Sequence, residues 1–287
     1  MANQLDIKTV AVIGAGTMGS GIAQVCALAG YHVQLFDVEA SAVGKGLQAI
    51  KNNLAQGVEK GKIDKTFAEQ IPKRITPVEN LAALKADLLI EAIVEKLDVK
   101  RKVFQEVERT NPKAILATNT SSISVTQIAS ALNDPSKLVG IHFFNPAHIM
   151  KLVEVISGAA TSEATAQQAR EFALSLDKVP VMAKDSPGFI VNRVARHFYV
   201  ESLKVLEENI ADIETIDRLM EASGFKMGPF RLMDLIGVDT NFSVTTSMYN
   251  AFHQDPKFRP SRIQQQKVDA GEWGRKTGKG FYDYSKG

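Results

Sequence analysis

The sequence predicts an α/β chain: a first domain, residues 1–185, built as an open sheet with helices between its strands, and a second, residues 186–287, made of helices. Three observations carry this prediction. Val10-Ala11-Val12-Ile13, Leu88-Leu89-Ile90-Glu91-Ala92-Ile93 and Ala114-Ile115-Leu116-Ala117-Thr118 are short apolar runs, as strands buried on both faces require. The first run leads through Gly14-Ala15-Gly16-Thr17-Met18-Gly19 into the helix-like segment from Ile22 to Ala29, so strand and helix alternate from the start. Beyond Ser186-Pro187-Gly188 the apolar residues take helical spacing, from Phe189, Ile190, Val194, Phe198 and Val205 to Ile213, Ile216 and Leu219.

The first unit reads as strand, glycine turn, helix, second strand. Val33-Gln34-Leu35-Phe36 follows the helix and ends in Asp37. In such a unit Gly14 permits the tight turn, Gly16 lets a pyrophosphate approach the backbone, and Gly19 allows close helix–strand packing, with the helix N-terminus facing the anion. Asp37 is then placed to hold the adenosine ribose hydroxyls. A purely structural glycine turn is the competing reading, but the strand, helix, second strand and acidic terminus all fall where a dinucleotide needs them. Between Asp37 and Lys45 no Lys or Arg stands ready for a ribose 2′-phosphate, which the Asp37 carboxylate would repel, so NAD is expected over NADP.

From Lys45 to Lys65 a polar, lysine-bearing segment carries Leu47, Ile50, Leu54 and Val58 at helical spacing, which predicts an exposed helix or helical hairpin inserted into the nucleotide fold. The next two strands should end at Glu91 and just before Asn119-Thr120-Ser121-Ser122, at the carboxyl edge of the sheet where open α/β folds bind ligands. Ser and Thr there would equally serve as helix caps for a helix beginning near Val125. Glu91 in an apolar run needs a partner or a ligand, and Lys96 is a candidate partner or a cofactor contact.

The next two runs suggest proton chemistry. Gly140-Ile141-His142-Phe143-Phe144-Asn145-Pro146 and Met150-Lys151-Leu152-Val153-Glu154-Val155-Ile156 are strand-like, and a turn centred on His148 makes them an antiparallel hairpin that pairs residue 142 with residue 154. A carboxylate accepting from one imidazole nitrogen fixes the tautomer and leaves the other nitrogen to exchange a proton with a substrate. His32, His148, His197 and His253 show no metal-ligand spacing and read as surface or packing residues. Asn192, near the start of the first long helix of the second domain, is either a surface amide or a residue reaching toward the ligand.

Composition excludes several classes. A formal charge of +2 is too small to argue for nucleic acid or an anionic membrane. No apolar run reaches the length of a membrane span, Met1-Ala2-Asn3-Gln4-Leu5-Asp6 lacks a secretory core, and the single Cys26 sits in an apolar helix, so a cytoplasmic protein without an intrachain disulfide is expected.

These blocks, in this order, resemble the 3-hydroxyacyl-CoA dehydrogenases, and among them the short bacterial 3-hydroxybutyryl-CoA dehydrogenases. The resemblance runs along essentially the entire chain: the glycine loop to Ala23, Glu91-Ala92-Ile93-Val94-Glu95, Asn119-Thr120-Ser121-Ser122, the His142 to Ile156 box, Asp185-Ser186-Pro187-Gly188-Phe189-Ile190-Val191-Asn192-Arg193, Met227-Gly228-Pro229-Phe230 with Asp234 and Gly237, and Gly278-Lys279-Gly280-Phe281-Tyr282. It implies a Rossmann-like N-terminal domain with a helical insertion, an all-helical C-terminal domain that makes a homodimer, and NAD(H) as hydride carrier; from the histidine spacing no metal is expected. The family's catalytic pair falls on His142 and Glu154, its substrate-contacting Ser on Ser121 and its substrate-positioning Asn on Asn192. Gly14, Gly16, Thr17, Met18, Gly19, Asp37, Glu91, Lys96 and Asn119 fall on the cofactor side. The implied reaction is the reversible oxidation of (S)-3-hydroxyacyl-CoA, 3-hydroxybutyryl-CoA in particular, to 3-oxoacyl-CoA. Lys45, Lys51, Lys60 and Lys62 lie on or near the inserted helical segment, and Lys51 is the candidate contact to the CoA phosphates, against the ordinary reading of a solvated lysine face. Two other readings stay open: a related dehydrogenase of a sugar acid such as gulonate, and a non-enzymatic NAD(H)-binding protein.

Overall fold

The computed structural model describes residues 7–285, so the reading of Met1–Asp6 as lacking a secretory core lies outside the described residues. The chain forms two compact units, Met1–Ser186 and Pro187–Gly287. In chain order the first contains β1 (Thr9–Ile13), α1 (Thr17–Leu28), β2 (His32–Phe36), α2 (Ala40–Glu59), α3 (Lys65–Gln70), β3 (Ile75–Pro77), β4 (Leu88–Glu91) and α4 (Leu97–Thr110). It continues with β5 (Ile115–Thr118), α5 (Val125–Ala129), β6 (Leu138–Phe143), β7 (Leu152–Ser157), α6 (Glu163–Ser175) and β8 (Val179–Lys184).

The eight strands form one sheet in the order β3-β2-β1-β4-β5-β6-β7-β8. Pairing is parallel from β3 to β6, turns antiparallel between β6 and β7, and is parallel again between β7 and β8. The apolar runs explain the centre of the sheet: every residue of β4, β5 and β6 is buried, so these strands are covered on both faces. Both edge strands carry proline, Pro77 in β3 and Pro180 in β8, where a missing N–H costs no ladder bond inside the sheet. Because β1 is flanked by β2 on one side and β4 on the other, the chain reverses its winding direction there and opens a crevice beyond the carboxyl ends of β1 and β4.

The inserted segment is a helical hairpin, as its spacing predicts. Val43, Gly46, Ile50 and Leu54 form the buried stripe of α2, and Gly46 lies so close to the glycine loop that a Cβ there would sit 2.8 Å from the Ala15 carbonyl oxygen. The second unit holds α7 (Val191–Glu207), α8 (Ile213–Ala222), α9 (Pro229–Ile236), α10 (Val238–Ala251) and α11 (Arg262–Asp269), around a core that includes Tyr199, Leu203, Ile216, Phe230 and Met233. Its last segment adds two isolated β-bridges and is fastened by two buried carboxylates. Asp234 accepts from the Phe281 and Tyr282 amides at 2.9 Å each, and Asp217 from the Tyr282 hydroxyl at 2.8 Å.

Candidate active site

The glycine loop leaves β1 at the crevice. Gly14 has φ +102°, a conformation that L side chains rarely adopt, and a Cβ there would lie 2.6 Å from the Ala92 carbonyl oxygen. At Gly19 a Cβ would collide with the Gly14 carbonyl at 1.7 Å, so helix and strand touch through bare backbone. Gly16 differs, because a Cβ there would meet nothing within 4 Å. Nothing in the protein itself requires glycine at that position, whereas a ligand seated against the backbone would. Gly16 is also the N-cap of α1, supplies no side-chain cap, and is followed by a first turn with no acidic residue, so the orphan amides at Thr17 and Met18 suit an anion. Asp37, at the end of β2, is held by the Ala15 amide at 2.7 Å and the Glu39 amide at 3.0 Å. A pyrophosphate at the helix and a ribose diol at Asp37 fit these residues.

Beyond β4 lies a buried ionic cluster that only partly follows the expected pairing. Glu91 is fully buried, and its carboxylate accepts from Lys100 at 2.5 Å, the Thr118 hydroxyl at 2.8 Å and the Ile93 amide at 2.7 Å. The partner is therefore Lys100 and not Lys96. Lys96 is the exposed N-cap of α4, and one helical turn further on Lys100 points back to the strand end. With its oxygens taken up internally, Glu91 faces its neighbours in the protein.

Lys100 also reaches Glu95 at 3.0 Å, a residue that the sequence pattern did not single out as a site. One Glu95 oxygen gathers the Thr120 hydroxyl, the Ser121 amide at 3.0 Å, the Ser122 amide at 3.1 Å and the Ser122 hydroxyl at 3.1 Å. Burial pushes the Glu95 carboxyl up, but the Lys100 charge and the hydrogen bonds from Thr120, Lys100 and Ser121 outweigh it and hold the group below its ordinary range. The turn carrying Ser121 is thus shaped by a carboxylate. The capping alternative is resolved locally: Ser124 caps α5 by accepting from the Gln127 amide, and Asp185 accepts from the Ser124 hydroxyl at 2.6 Å. Among the described residues none hydrogen-bonds the Ser121 hydroxyl.

The β6–β7 hairpin has the expected register. His142 lies opposite Glu154, and His142 Nδ1 is 2.8 Å from Glu154 Oε2, with the residues 6% and 1% exposed. The Phe144 ring packs against the imidazole at 4.6 Å between centroids. Asn119 ties the neighbouring strand ends together, since its side-chain oxygen accepts from the Phe143 amide at 2.9 Å and its main-chain N–H donates to the Glu91 carbonyl at 2.8 Å. His142, Glu154, Asn119, Glu95, Ser121 and the glycine loop therefore share the carboxyl edge of one sheet. Asn192 stands in the first turn of α7 in the second unit. Lys51 is exposed on α2 at the rim of an apolar groove of about 480 Å³ between α2 and α3, and Lys45, Lys60 and Lys62 are exposed as well. No group of three or more His, Cys, Asp or Glu among the described residues is arranged to hold a metal ion.

Sequence comparison converges on one family. The 3-hydroxyacyl-CoA dehydrogenase NAD binding domain matches residues 9–186, and the 3-hydroxyacyl-CoA dehydrogenase C-terminal domain matches residues 188–284. The 3-hydroxyadipyl-CoA dehydrogenase of Escherichia coli K12 is 48% identical over 98% of this chain, which spans 60% of that protein's length. A probable 3-hydroxybutyryl-CoA dehydrogenase of Bacillus subtilis is 41% identical over 98% of this chain and 99% of its own. The crystal structure of (S)-3-hydroxybutyryl-CoA dehydrogenase from Ralstonia eutropha superposes with a TM-score of 0.93 at 39% identity, covering 97% of this chain and 99% of that one. The chain belongs to the 3-hydroxyacyl-CoA dehydrogenase family of NAD-dependent oxidoreductases.

Proposed function

We propose that this chain catalyses the reversible NAD-dependent oxidation of (S)-3-hydroxyacyl-CoA, with 3-hydroxybutyryl-CoA and acetoacetyl-CoA as the first pair to test, and that His142 is its general acid/base. The observation that carries the reading is the buried His142–Glu154 pair at 2.8 Å. With Glu154 accepting from Nδ1–H, the proton-exchanging atom is Nε2. In oxidation Nε2 takes the proton of the 3-hydroxyl, and Glu154 steadies the imidazolium that results. In reduction His142 returns the proton to the 3-oxo oxygen. The bound nicotinamide supplies the hydride acceptor or donor.

Ser121 and Asn192 orient the substrate by hydrogen bonds to the reacting oxygen or the thioester carbonyl, a role supported for Ser121 by a hydroxyl at the sheet edge and for Asn192 by the family block in which it stands. Gly14, Gly16, Thr17, Met18, Gly19 and Asp37 hold the dinucleotide. Asn119 and Glu91 shape that wall through the bonds described above, Lys96 borders it from solvent, and Lys51 is assigned to the CoA phosphates. A homodimer formed through the helices of the second unit, on which Val194 and Leu219 stand 70% and 61% exposed, is part of the proposal. A cytoplasmic location accords with the lone buried Cys26 and with the absence, among the described residues, of any helix long and apolar enough to cross a membrane.

The test is NADH oxidation with acetoacetyl-CoA, run beside NADPH and free acetoacetate. Turnover that needs both the thioester and NADH supports the proposal; 3-oxoadipyl-CoA, the acyl class in the Escherichia coli relative's name, belongs in the same series. NADH binding without thioester turnover overturns it and leaves the sugar-acid and non-enzymatic readings. In the same assay His142→Gln should cost about 10²- to 10⁴-fold in kcat with NADH affinity retained.

A further inference from the structure

The turn between β6 and β7 is fastened by a residue that lies outside it. Lys178 precedes β8, follows Asp177 at φ 56°, and is only 7% exposed. Its ammonium donates to the Ala147 carbonyl at 2.6 Å and to the Met150 carbonyl at 2.8 Å, spanning the turn on either side of His148. The turn's own amides, Ile149 at 3.0 Å and Met150 at 2.9 Å, both go to the Pro146 carbonyl, so they leave the Ala147 and Met150 oxygens to another donor. The adjoining carboxylate Asp177 is engaged with Lys151, and among the described residues Lys178 has no ion pair of its own. Burial holds the ammonium below its ordinary value, with Lys151 adding to the effect and Asp177 opposing it. A desolvated cation is therefore kept in place by two main-chain oxygens of one turn.

That turn also touches the cofactor helix. Ala147 is buried against α1 so closely that a Cβ on Gly21 would lie 3.1 Å from the Ala147 Cβ. Gly21 follows Gly19 by two residues. The strand leading into the turn carries His142, and the strand leaving it carries Glu154.

We infer that Lys178 is a positioning residue that ties the tip of the His142–Glu154 hairpin to the corner before β8, keeps Ala147 seated on α1, and so sets the height of the proton-transferring imidazole relative to the glycine loop. The inference rests on the function proposed above, in which the imidazole must reach the substrate oxygen held beside the cofactor loop. The ladder alone sets which residues face each other along the hairpin. It does not set where the hairpin stands against the helix, and Lys178 and the Ala147–Gly21 contact do.

The experiment compares the parent, Lys178→Met, which keeps the apolar stem and removes all three donors, and Lys178→Gln, which keeps a neutral donor. Steady-state NADH oxidation with acetoacetyl-CoA is read together with the primary isotope effect from NADH deuterated at the transferred position and the folded fraction from circular dichroism. The expected result is a fall in kcat of about 10- to 100-fold for Met and a smaller fall for Gln, since misplacement by about 1 Å costs on the order of 10²-fold. Both KM values should stay within about threefold, and the isotope effect on kcat should rise as the chemical step becomes limiting. Should the Met variant fail to fold, the Gln variant decides by the same criteria. The inference is overturned if kcat per folded molecule stays within about threefold of the parent, or if KM rises while kcat is retained. A parent without thioester-dependent turnover overturns the proposed function and this inference together, whereas an active parent with unaffected variants overturns this inference alone.

Discussion

Glu154→Gln tests how the imidazole is controlled while leaving its shape untouched. Gln is isosteric with Glu, and the site is 1% exposed, so the side chain stays where it is. At 2.8 Å a full charge pair at an effective dielectric of about 20 would interact by roughly 6 kcal/mol, but the net value of a hydrogen bond to a charged group is about 1.5–3 kcal/mol. At about 1.36 kcal/mol per decade, losing it in the transition state costs about 10- to 10²-fold in kcat. An amide adds a second fault: its NH₂ can donate to Nδ1, which moves the ring proton to Nε2, the atom that must accept from the substrate hydroxyl. Together these give an expected loss of about 10²- to 10⁴-fold in 3-hydroxybutyryl-CoA oxidation. KM for the thioester and NADH affinity by fluorescence titration should move by less than about threefold, because the carboxylate acts mainly on the charged transition state. Turnover within about threefold of the parent, in a variant whose melting temperature is unchanged, would refute the reasoning.

Three further outcomes are expected. Gly16→Ala should leave the melting temperature near that of the parent, since nothing lies within 4 Å of the new methyl, yet weaken NADH in titration; Gly19→Ala, which collides with the Gly14 carbonyl, should destabilise the fold by about 1–3 kcal/mol in urea denaturation. The Glu95 carboxyl is held below its ordinary value of 4.5, so its contribution to stability is full above that pH and is lost as pH falls through the lowered folded value. Melting temperature scanned against pH should therefore fall less steeply on the acid side in Glu95→Gln than in the parent. Asp234→Asn keeps one accepting oxygen where two amides need partners, and a melting-temperature loss equivalent to about 1 kcal/mol is expected from the half-buried N–H left unpaired.

What the sequence revealed and what it withheld follow from distance along the chain. The glycine turn was legible because its logic is contained within Gly14 to Gly19. The His142–Glu154 pair was legible because strand period and turn centre fix a hairpin register by arithmetic alone, and the observed ladder has that register. Lys100 was not, because whether Lys96 or Lys100 meets Glu91 depends on the angle at which α4 leaves the sheet, and no local pattern encodes that angle. Glu95 escaped for the same reason: four of its contacts come from residues about 25 positions later, which only the parallel pairing of β4 with β5 brings alongside. The spacing of Glu91, Glu95 and Lys100 from the strand end into the first turn of α4 was the available signal. Lys178 gave none, since a lysine before an edge strand reads as solvated until the turn it fastens is seen.

Gly16 carries a consequence for anyone rebuilding this chain. Helix N-caps favour Ser, Asp or Asn over Gly by about a few tenths of a kcal/mol, and the space around Gly16 would admit a Cβ. A sequence optimised only for the stability of this backbone would therefore replace Gly16 and report an improvement. The resulting protein would melt higher and hold its nucleotide less well, an instance of stability and activity pulling in opposite directions at a single carbon atom.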